Sequence, residues 1–122
     1  MRTLIATMLL ALMSHGPAGA GEAPKFACNM GALTKSERAA HEKRSSALLG
    51  SIKERKELNN GYAFRLPGNS VVEAAQWIAN ERKCCPFFAF RIDVAGNDEV
   101  WLSLTGPAGV KPFIVAELGL DP

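Results

Sequence analysis

The chain is poor in the residues and motifs that most enzyme classes need. Its two histidines are His15 and His41, and its single tyrosine is Tyr62. It contains no His-Glu-x-x-His, Gly-x-Ser-x-Gly or glycine-rich phosphate loop, which argues against zinc peptidases, serine hydrolases and nucleotide-binding proteins. It has three cysteines but no Cys-x-x-Cys, the motif of thioredoxin-like redox proteins. The missing motifs therefore argue against an enzyme but do not decide whether the protein is one.

Neither the net charge nor the apolar runs indicate nucleic acid or a membrane as a partner. The formal net charge is only +2, which removes the main electrostatic reason to expect nucleic acid. The longest apolar run, Leu4 to Met13, is much shorter than the roughly 20 residues that span a bilayer. We expect no nucleic-acid partner and no membrane association after signal cleavage. A protein partner or a metal donor remains to be considered.

Residues 1–20 have the pattern of a secretory signal peptide. Arg2 supplies the positive n-region, Leu4 to Met13 the apolar h-region, and Ala18-Gly19-Ala20 a small-x-small cleavage site. This pattern predicts a periplasmic or secreted protein, and an uncleaved membrane anchor is the alternative. An exported chain meets oxidising conditions, in which paired thiols tend to become disulfides.

The rest of the chain predicts one small α+β domain at residues 33–122, preceded by a flexible lead-in at 21–32. A capping box at 34–37 opens a first helix, which we expect to continue to about Leu58 with its charged C-terminal part facing solvent. A second capping box at 70–73 opens another helix. This one is expected to end near Lys83, just before the cysteine pair.

Apolar residues alternate at 62–66, 88–94 and 100–104, which predicts three strands, and a last helix begins near Pro112. The element order is therefore α-β-α-β-β-α. Its β-α-β step predicts a right-handed crossover joining parallel strands, followed by a hairpin. We expect a three-stranded sheet with helices on one face, ferredoxin-like with an extra N-terminal helix.

The distinctive chemistry lies in Cys28, within the lead-in, and in the adjacent pair Cys84 and Cys85. Pro86 pushes Cys85 toward an extended conformation. A bond between the two neighbours would close a strained ring, so pairing Cys28 with one of them is geometrically easier. Such a bond would close a loop of more than fifty residues. It would stabilise the fold by roughly 3–4.5 kcal/mol.

The position of the cysteine pair suits a metal better than a nucleophile. Both residues follow a helix, and the partially negative end of a helix disfavours a thiolate, an effect that Arg82 and Lys83 offset in part. The same end favours a bound cation, and a cation would itself deprotonate the thiols. Three thiolates form a soft ligand set that selects Cu(I), Zn(II) or Hg(II).

Two further side chains are candidate ligands for such an ion. Met30 stands two residues after Cys28, and His41 lies about two turns into the first helix. Each has a simpler interpretation: Met30 in packing and His41 in a local hydrogen bond. Glu81, Arg82 and Pro86 flank the cysteine pair and are interpreted as supporting residues.

Three interpretations of the cysteines remain open. In the first, three thiols bind a soft metal ion. In the second, Cys28 forms a structural disulfide, one cysteine stays free, and the protein is a non-enzymatic periplasmic interaction domain. In the third, the thiols form a redox pair, which the missing Cys-x-x-Cys and the helix end both disfavour.

Several short segments give the chain a resemblance to other sequences. Cys28 precedes Leu33-Thr34 with Glu37-Arg38, a Glu-Arg-x-Cys-Cys-Pro-Phe core follows at 81–88, and Leu-Thr-Gly-Pro ends the last strand at 104–107. In these segments the chain resembles a group of small bacterial proteins of no settled activity. The resemblance implies a shared fold and a shared three-cysteine pattern. Because many such proteins are cytoplasmic, the resemblance implies a ligand or reactive role for the thiols rather than disulfide formation alone. The predicted signal peptide of this chain departs from the pattern of the group.

Overall fold

The computed structural model describes residues 26–121, so the expected signal peptide lies outside the described residues. Three α-helices, four strands and two 3-10 turns follow one another along this part of the chain. In order they are a turn at Met30–Ala32, α1 at Lys35–Gly50, β1 at Glu54–Leu58, β2 at Gly61–Leu66, a turn at Gly68–Ser70, α2 at Val71–Cys84, β3 at Ala89–Ala95, β4 at Glu99–Thr105 and α3 at Val110–Glu117. Over residues 26–121 no helix combines the length and apolar character needed to cross a membrane.

The four strands form one sheet in the order β1-β2-β4-β3, and every neighbouring pair is antiparallel. The α+β class is confirmed, but the expected count of three strands is wrong. Strands β2 and β3 do run in the same direction, as the expected crossover requires. However, β4 lies between them and pairs with both. The fold is therefore only roughly ferredoxin-like.

The additional strand comes from the C-terminal part of the first predicted helix. Its start is confirmed, since the Thr34 hydroxyl accepts from the Glu37 amide at 3.2 Å and the Glu37 carboxylate accepts from the Thr34 amide at 2.9 Å. Helix α1 nevertheless ends at Gly50, and the alternating charges that follow belong to β1. An edge strand with solvated faces carries such charges as readily as a helix does, and they discourage pairing with other chains. One of them, Glu54, accepts from Arg65 on β2 at 3.0 Å.

The second predicted capping box is not formed, although the helix is. Ser70 precedes α2 but makes no side-chain capping hydrogen bond. The Glu73 carboxylate instead accepts from the Arg44 side chain of α1 at 3.1 Å. A contact between helices thus replaces the expected contact within the first turn.

The hydrophobic core lies between the helices and one face of the sheet. Alternate residues of β2 and β4 point into it, as the period of two in a strand requires. Trp77 of α2 fills its centre and is 1% exposed. The other fully buried large side chains are Phe64, Leu66, Val100, Leu102, Leu104, Val110, Ile114, Cys84 and Cys85. The cysteine pair is thus part of the core.

Two glycines should respond oppositely to alanine. A Cβ on Gly61 would lie 1.9 Å from the carbonyl oxygen of Leu104 on β4, whereas one on Gly50 would meet nothing within 4 Å. We expect Gly61→Ala to lower the free energy of unfolding by about 2 kcal/mol or more, because strand backbones must separate. Gly50→Ala should raise it by up to about 1 kcal/mol. Urea unfolding of both variants checks this, and equal effects would contradict the strand register.

Candidate functional site

Cys28 and Cys85 meet where α2 turns into β3. Their sulfur atoms lie at disulfide-bonding distance and their Cα atoms are 4.7 Å apart, although 57 positions separate them along the chain. Cys84, the last residue of α2, is the free cysteine among the described residues and is buried. The N-terminal sulfur therefore does fold back to the cysteine pair, and of the two neighbours it joins Cys85.

Contacts on both sides of Cys28 hold the N-terminal segment in place. Before it, the buried Phe26 ring packs with the rings of Phe87 and Phe113, at centroid distances of 5.0 Å and 6.0 Å. After it, the Asn29 amide donates to the carbonyl oxygen of Cys84 at 2.8 Å. Residues 26–32 of the expected flexible lead-in are thus docked on the domain. The position of Cys28 does not depend on the sulfur–sulfur contact alone.

The buried carboxylate of Glu81 lies between the cysteines and His41. Glu81 is 5% exposed, and its Oε2 lies 2.5 Å from His41 Nε2. Its Oε1 lies 3.4 Å from the Cys85 sulfur, and its Oε2 lies 3.9 Å from the Cys84 sulfur. Glu81 precedes the two cysteines by three and four positions, a spacing that places all three on one helix face.

Burial controls the ionisation of this cluster. It raises the pKa of Glu81 above its ordinary value, while the hydrogen bond from His41 opposes the rise. Burial, reinforced by the negative charge of Glu81, also raises the pKa of Cys84 to about 11. The Cys84 thiol donates to the carbonyl oxygen of Glu81 at 3.4 Å. Cys84 is therefore a protonated thiol near neutral pH rather than a nucleophile.

His41 and Met30 border a small cavity beside this cluster. The cavity has a volume of about 250 Å³, and Met30, His41, Glu81 and Trp77 are among the residues that line it. The His41 ring stacks on Trp77 at a centroid distance of 6.1 Å. Its Nδ1 is buried and has no hydrogen-bond partner among the described residues. His41 thus keeps one imidazole nitrogen that no described residue uses.

Two sets of side chains have the spacing of metal ligands, and Glu81 belongs to both. One set is Cys28, Glu81 and Cys85, and the other is His41, Glu81 and Cys84. Within each set, the ligand atoms all lie within 4.8 Å of one another.

The structure thus places four of the five residues predicted as ligands around Glu81, two in each set. The fifth, Met30, is half-buried and borders the adjacent cavity. Of the three supporting residues, Arg82 and Pro86 are exposed, whereas Glu81 is central. Sequence reasoning underrated Glu81. The sequence did contain a signal for Glu81. Trp77 precedes Glu81 by four positions and the cysteines follow it by three and four, so this carboxylate lies on the apolar face of the helix.

Comparisons with known proteins add nothing to this geometry. The chain matches no family model, no curated protein and no solved structure. The resemblance to small bacterial proteins with a Glu-Arg-x-Cys-Cys-Pro-Phe core therefore stays a prediction. The function has to be inferred from the site itself.

Removal of His41 should destabilise the protein in a pH-dependent way. His41→Ala leaves the Glu81 carboxylate buried without its partner and removes the interactions that hold its pKa down. The pKa of Glu81 in the folded variant then lies further above its value in the unfolded chain. The free energy of unfolding should therefore fall as the pH rises. We expect a loss of about 3–5 kcal/mol at pH 8 and a smaller loss at pH 5.

Urea unfolding at the two pH values measures this loss. The double variant His41→Ala, Glu81→Gln serves as the control, because it carries no ionisable group at position 81 and should lose the extra pH dependence. Equal losses at pH 5 and pH 8 in the single variant would show that Glu81 does not respond to His41.

The free thiol of Cys84 should resist alkylation in the folded protein. A pKa raised from 9.0 to about 11 lowers the thiolate fraction at pH 8 about 100-fold. Iodoacetamide should therefore modify Cys84 at least about 100-fold more slowly in native buffer than in guanidinium chloride. Peptide mass spectrometry after timed labelling measures both rates. Rapid labelling of Cys84 in the native protein would contradict a buried, protonated thiol.

Proposed function

We propose that this is an exported small thiol protein that binds a soft metal ion, Cu(I), Zn(II) or Hg(II), once Cys28 and Cys85 are reduced. The ligands are the thiolates of Cys28, Cys84 and Cys85, with His41 or Glu81 completing the set. One observation carries the proposal: a buried carboxylate that contacts an imidazole, Glu81, belongs to two sets of ligand-like side chains that together include all three sulfurs.

The electrostatics of the site favour a cation. The two buried cysteines lie at the partially negative end of α2, where an isolated thiolate is costly. The Glu81 carboxylate adds negative charge in a region with little solvent. A bound cation offsets both costs and deprotonates the thiols that bind it. Sulfur and imidazole ligands select soft or borderline ions over Mg²⁺ and Ca²⁺.

The site is also preorganised for this role. Phe26 and Asn29 fix the chain on either side of Cys28, so reduction need not release the N-terminal segment. The two other thiols are held by the end of α2 and by the buried start of the next segment. A reduced protein therefore keeps its sulfur ligands close, and little ordering entropy is lost when an ion binds.

Metal titration of the reduced protein tests the proposal. The protein is reduced with a phosphine, freed of reductant without oxygen, and titrated with Cu(I) or Hg(II), while Zn(II) is followed with a competing chromophoric chelator. We expect a near-ultraviolet thiolate charge-transfer band that saturates near one ion per chain. The oxidised protein should bind at least tenfold more weakly, because two of its sulfurs are bonded to each other.

Variants separate the site from unspecific thiol binding. Cys84→Ser with Cys85→Ser should abolish saturable binding, and Glu81→Gln should weaken it about tenfold or more. The matched control is Glu42→Gln, since Glu42 borders the same cavity but is exposed and is not a proposed ligand. Absence of the band, or an unchanged band in the double cysteine variant, would refute metal binding.

A second candidate is a periplasmic interaction domain stapled by the Cys28 disulfide. It is favoured by the sulfur pairing and by the open face of the sheet, where Trp101 lies beneath the Lys56 ammonium at 4.3 Å. This face borders a groove of about 540 Å³. Alkylation of the natively purified protein discriminates the two functions. One free thiol and no co-purified metal support the staple, whereas three free thiols or bound metal support the metal site.

A further inference from the structure

We infer that the Cys28–Cys85 pair is a thiol-exchange site with a fixed direction, in which a low-molecular-weight thiol attaches to Cys28 and Cys85 is the leaving group. The inference concerns the oxidised protein and does not depend on metal binding. It assigns a modification site to Cys28. Three features of the described residues support it. Solvent reaches Cys28 but not Cys85, the Cys85 sulfur has a hydrogen-bond acceptor, and the chain around Cys28 is held in place.

Access to the two sulfurs is unequal. Cys85 has no exposed surface, whereas Cys28 is half-buried and is flanked by the exposed residues Ala27 and Asn29. A thiolate attacks a disulfide sulfur from the side opposite the bond that breaks. Because Cys85 lies on the inner side of the pair, this approach reaches Cys28 from solvent. The same approach to Cys85 would have to pass through the core.

The leaving sulfur already has a hydrogen-bond acceptor. Glu81 Oε1 lies 3.4 Å from the Cys85 sulfur, so the Cys85 thiol formed by the exchange can donate to it without rearrangement. The neighbouring Cys84 thiol makes comparable contacts, to the carbonyl oxygen of Glu81 at 3.4 Å and to its carboxylate at 3.9 Å. The surroundings of Glu81 therefore accommodate a buried neutral thiol at both Cys84 and Cys85.

The attacked residue stays in place during the exchange. The Phe26 ring remains packed on Phe87 and Phe113, and the Asn29 amide remains bonded to the Cys84 carbonyl oxygen. The exchange opens the crosslink without requiring the N-terminal segment to leave the domain. A mixed disulfide at Cys28 is then a folded, accessible species.

The chemical step is balanced by the incoming thiol alone. The thiolate of RSH forms a bond to the Cys28 sulfur, the bond from Cys28 to Cys85 breaks, and the proton given up by RSH ends on the Cys85 sulfur. The products are Cys28–S–S–R and the Cys85 thiol. A second RSH attacks the outer sulfur of the adduct and gives RSSR and the Cys28 thiol, with both electrons supplied by the two thiols.

Peptide mapping with glutathione as the probe tests the direction. The oxidised protein is incubated with reduced glutathione, quenched in acid, blocked with N-ethylmaleimide and digested. We expect glutathione on Cys28 at least tenfold above Cys85, with maleimide on Cys85. In guanidinium chloride the preference should fall to about twofold or less, because both sulfurs are then open. Glu42→Gln should behave like the native sequence, since Glu42 is exposed and is neither a proposed ligand nor a contact of either sulfur.

Two variants, each with one cysteine replaced, test the preference for Cys28 in the opposite reaction, in which a protein thiol attacks oxidised glutathione. With oxidised glutathione, Cys85→Ser should form an adduct on Cys28, whereas Cys28→Ser should leave Cys85 unmodified while folded. Three results would overturn the inference: an adduct mainly on Cys85, equal adducts in the folded protein, or no adduct with excess glutathione. Metal titration of the reduced protein is a separate experiment, so each proposal can fail without the other.

Discussion

The buried carboxylate of Glu81 is the interaction on which the rest of the site depends. It joins α1 to α2 through His41 and lies against the sulfurs of Cys84 and Cys85. A carboxylate in the core is costly unless it is paired, and here the imidazole provides the pairing. The same carboxylate contacts His41, adds to the effect of burial on the pKa of Cys84, and lies beside the Cys28–Cys85 sulfur pair.

The contact between the Cys28 and Cys85 sulfurs bears on the stability of the fold, because a small domain has only a modest core. Closing a loop of 57 positions stabilises such a fold by about 4 kcal/mol on the chain-entropy model. That is a large fraction of the stability expected for a domain of this size. The contact is reinforced by the Phe26 aromatic cluster and by the Asn29 hydrogen bond, so the N-terminal segment is held in three ways.

Both proposals use the same asymmetry between surface and core. Cys28 is partly exposed, while Cys85 and Cys84 are buried and both lie beside Glu81. In these proposals, thiol exchange at the surface sulfur gives the reduced protein, whose three thiolates form the proposed metal site. In the oxidised state two of these residues, Cys28 and Cys85, form a crosslink instead. Under these two proposals, the redox state of one bond sets whether this cluster is a staple or a ligand set.

The sequence by itself determined the local elements and the identity of the unusual residues. Capping at Thr34 and strand alternation around Phe64 and Leu102 are local effects, so they could be predicted. The cysteine pair was recognised from its spacing alone. The strand β1 was missed because alternating charges satisfy a solvated helix face and a solvated edge strand equally well.

Only the tertiary structure decided which cysteine joins Cys28 and what surrounds the pair. The choice of Cys85 depends on how the chain leaves α2 and on where Phe26 docks. The role of Glu81 depends on His41, because a buried carboxylate needs a partner and here that partner is forty positions away. Local sequence carries no record of such a partner. Most elements were therefore predictable from the sequence, with β1 as the exception, whereas the contacts that assemble the site were not.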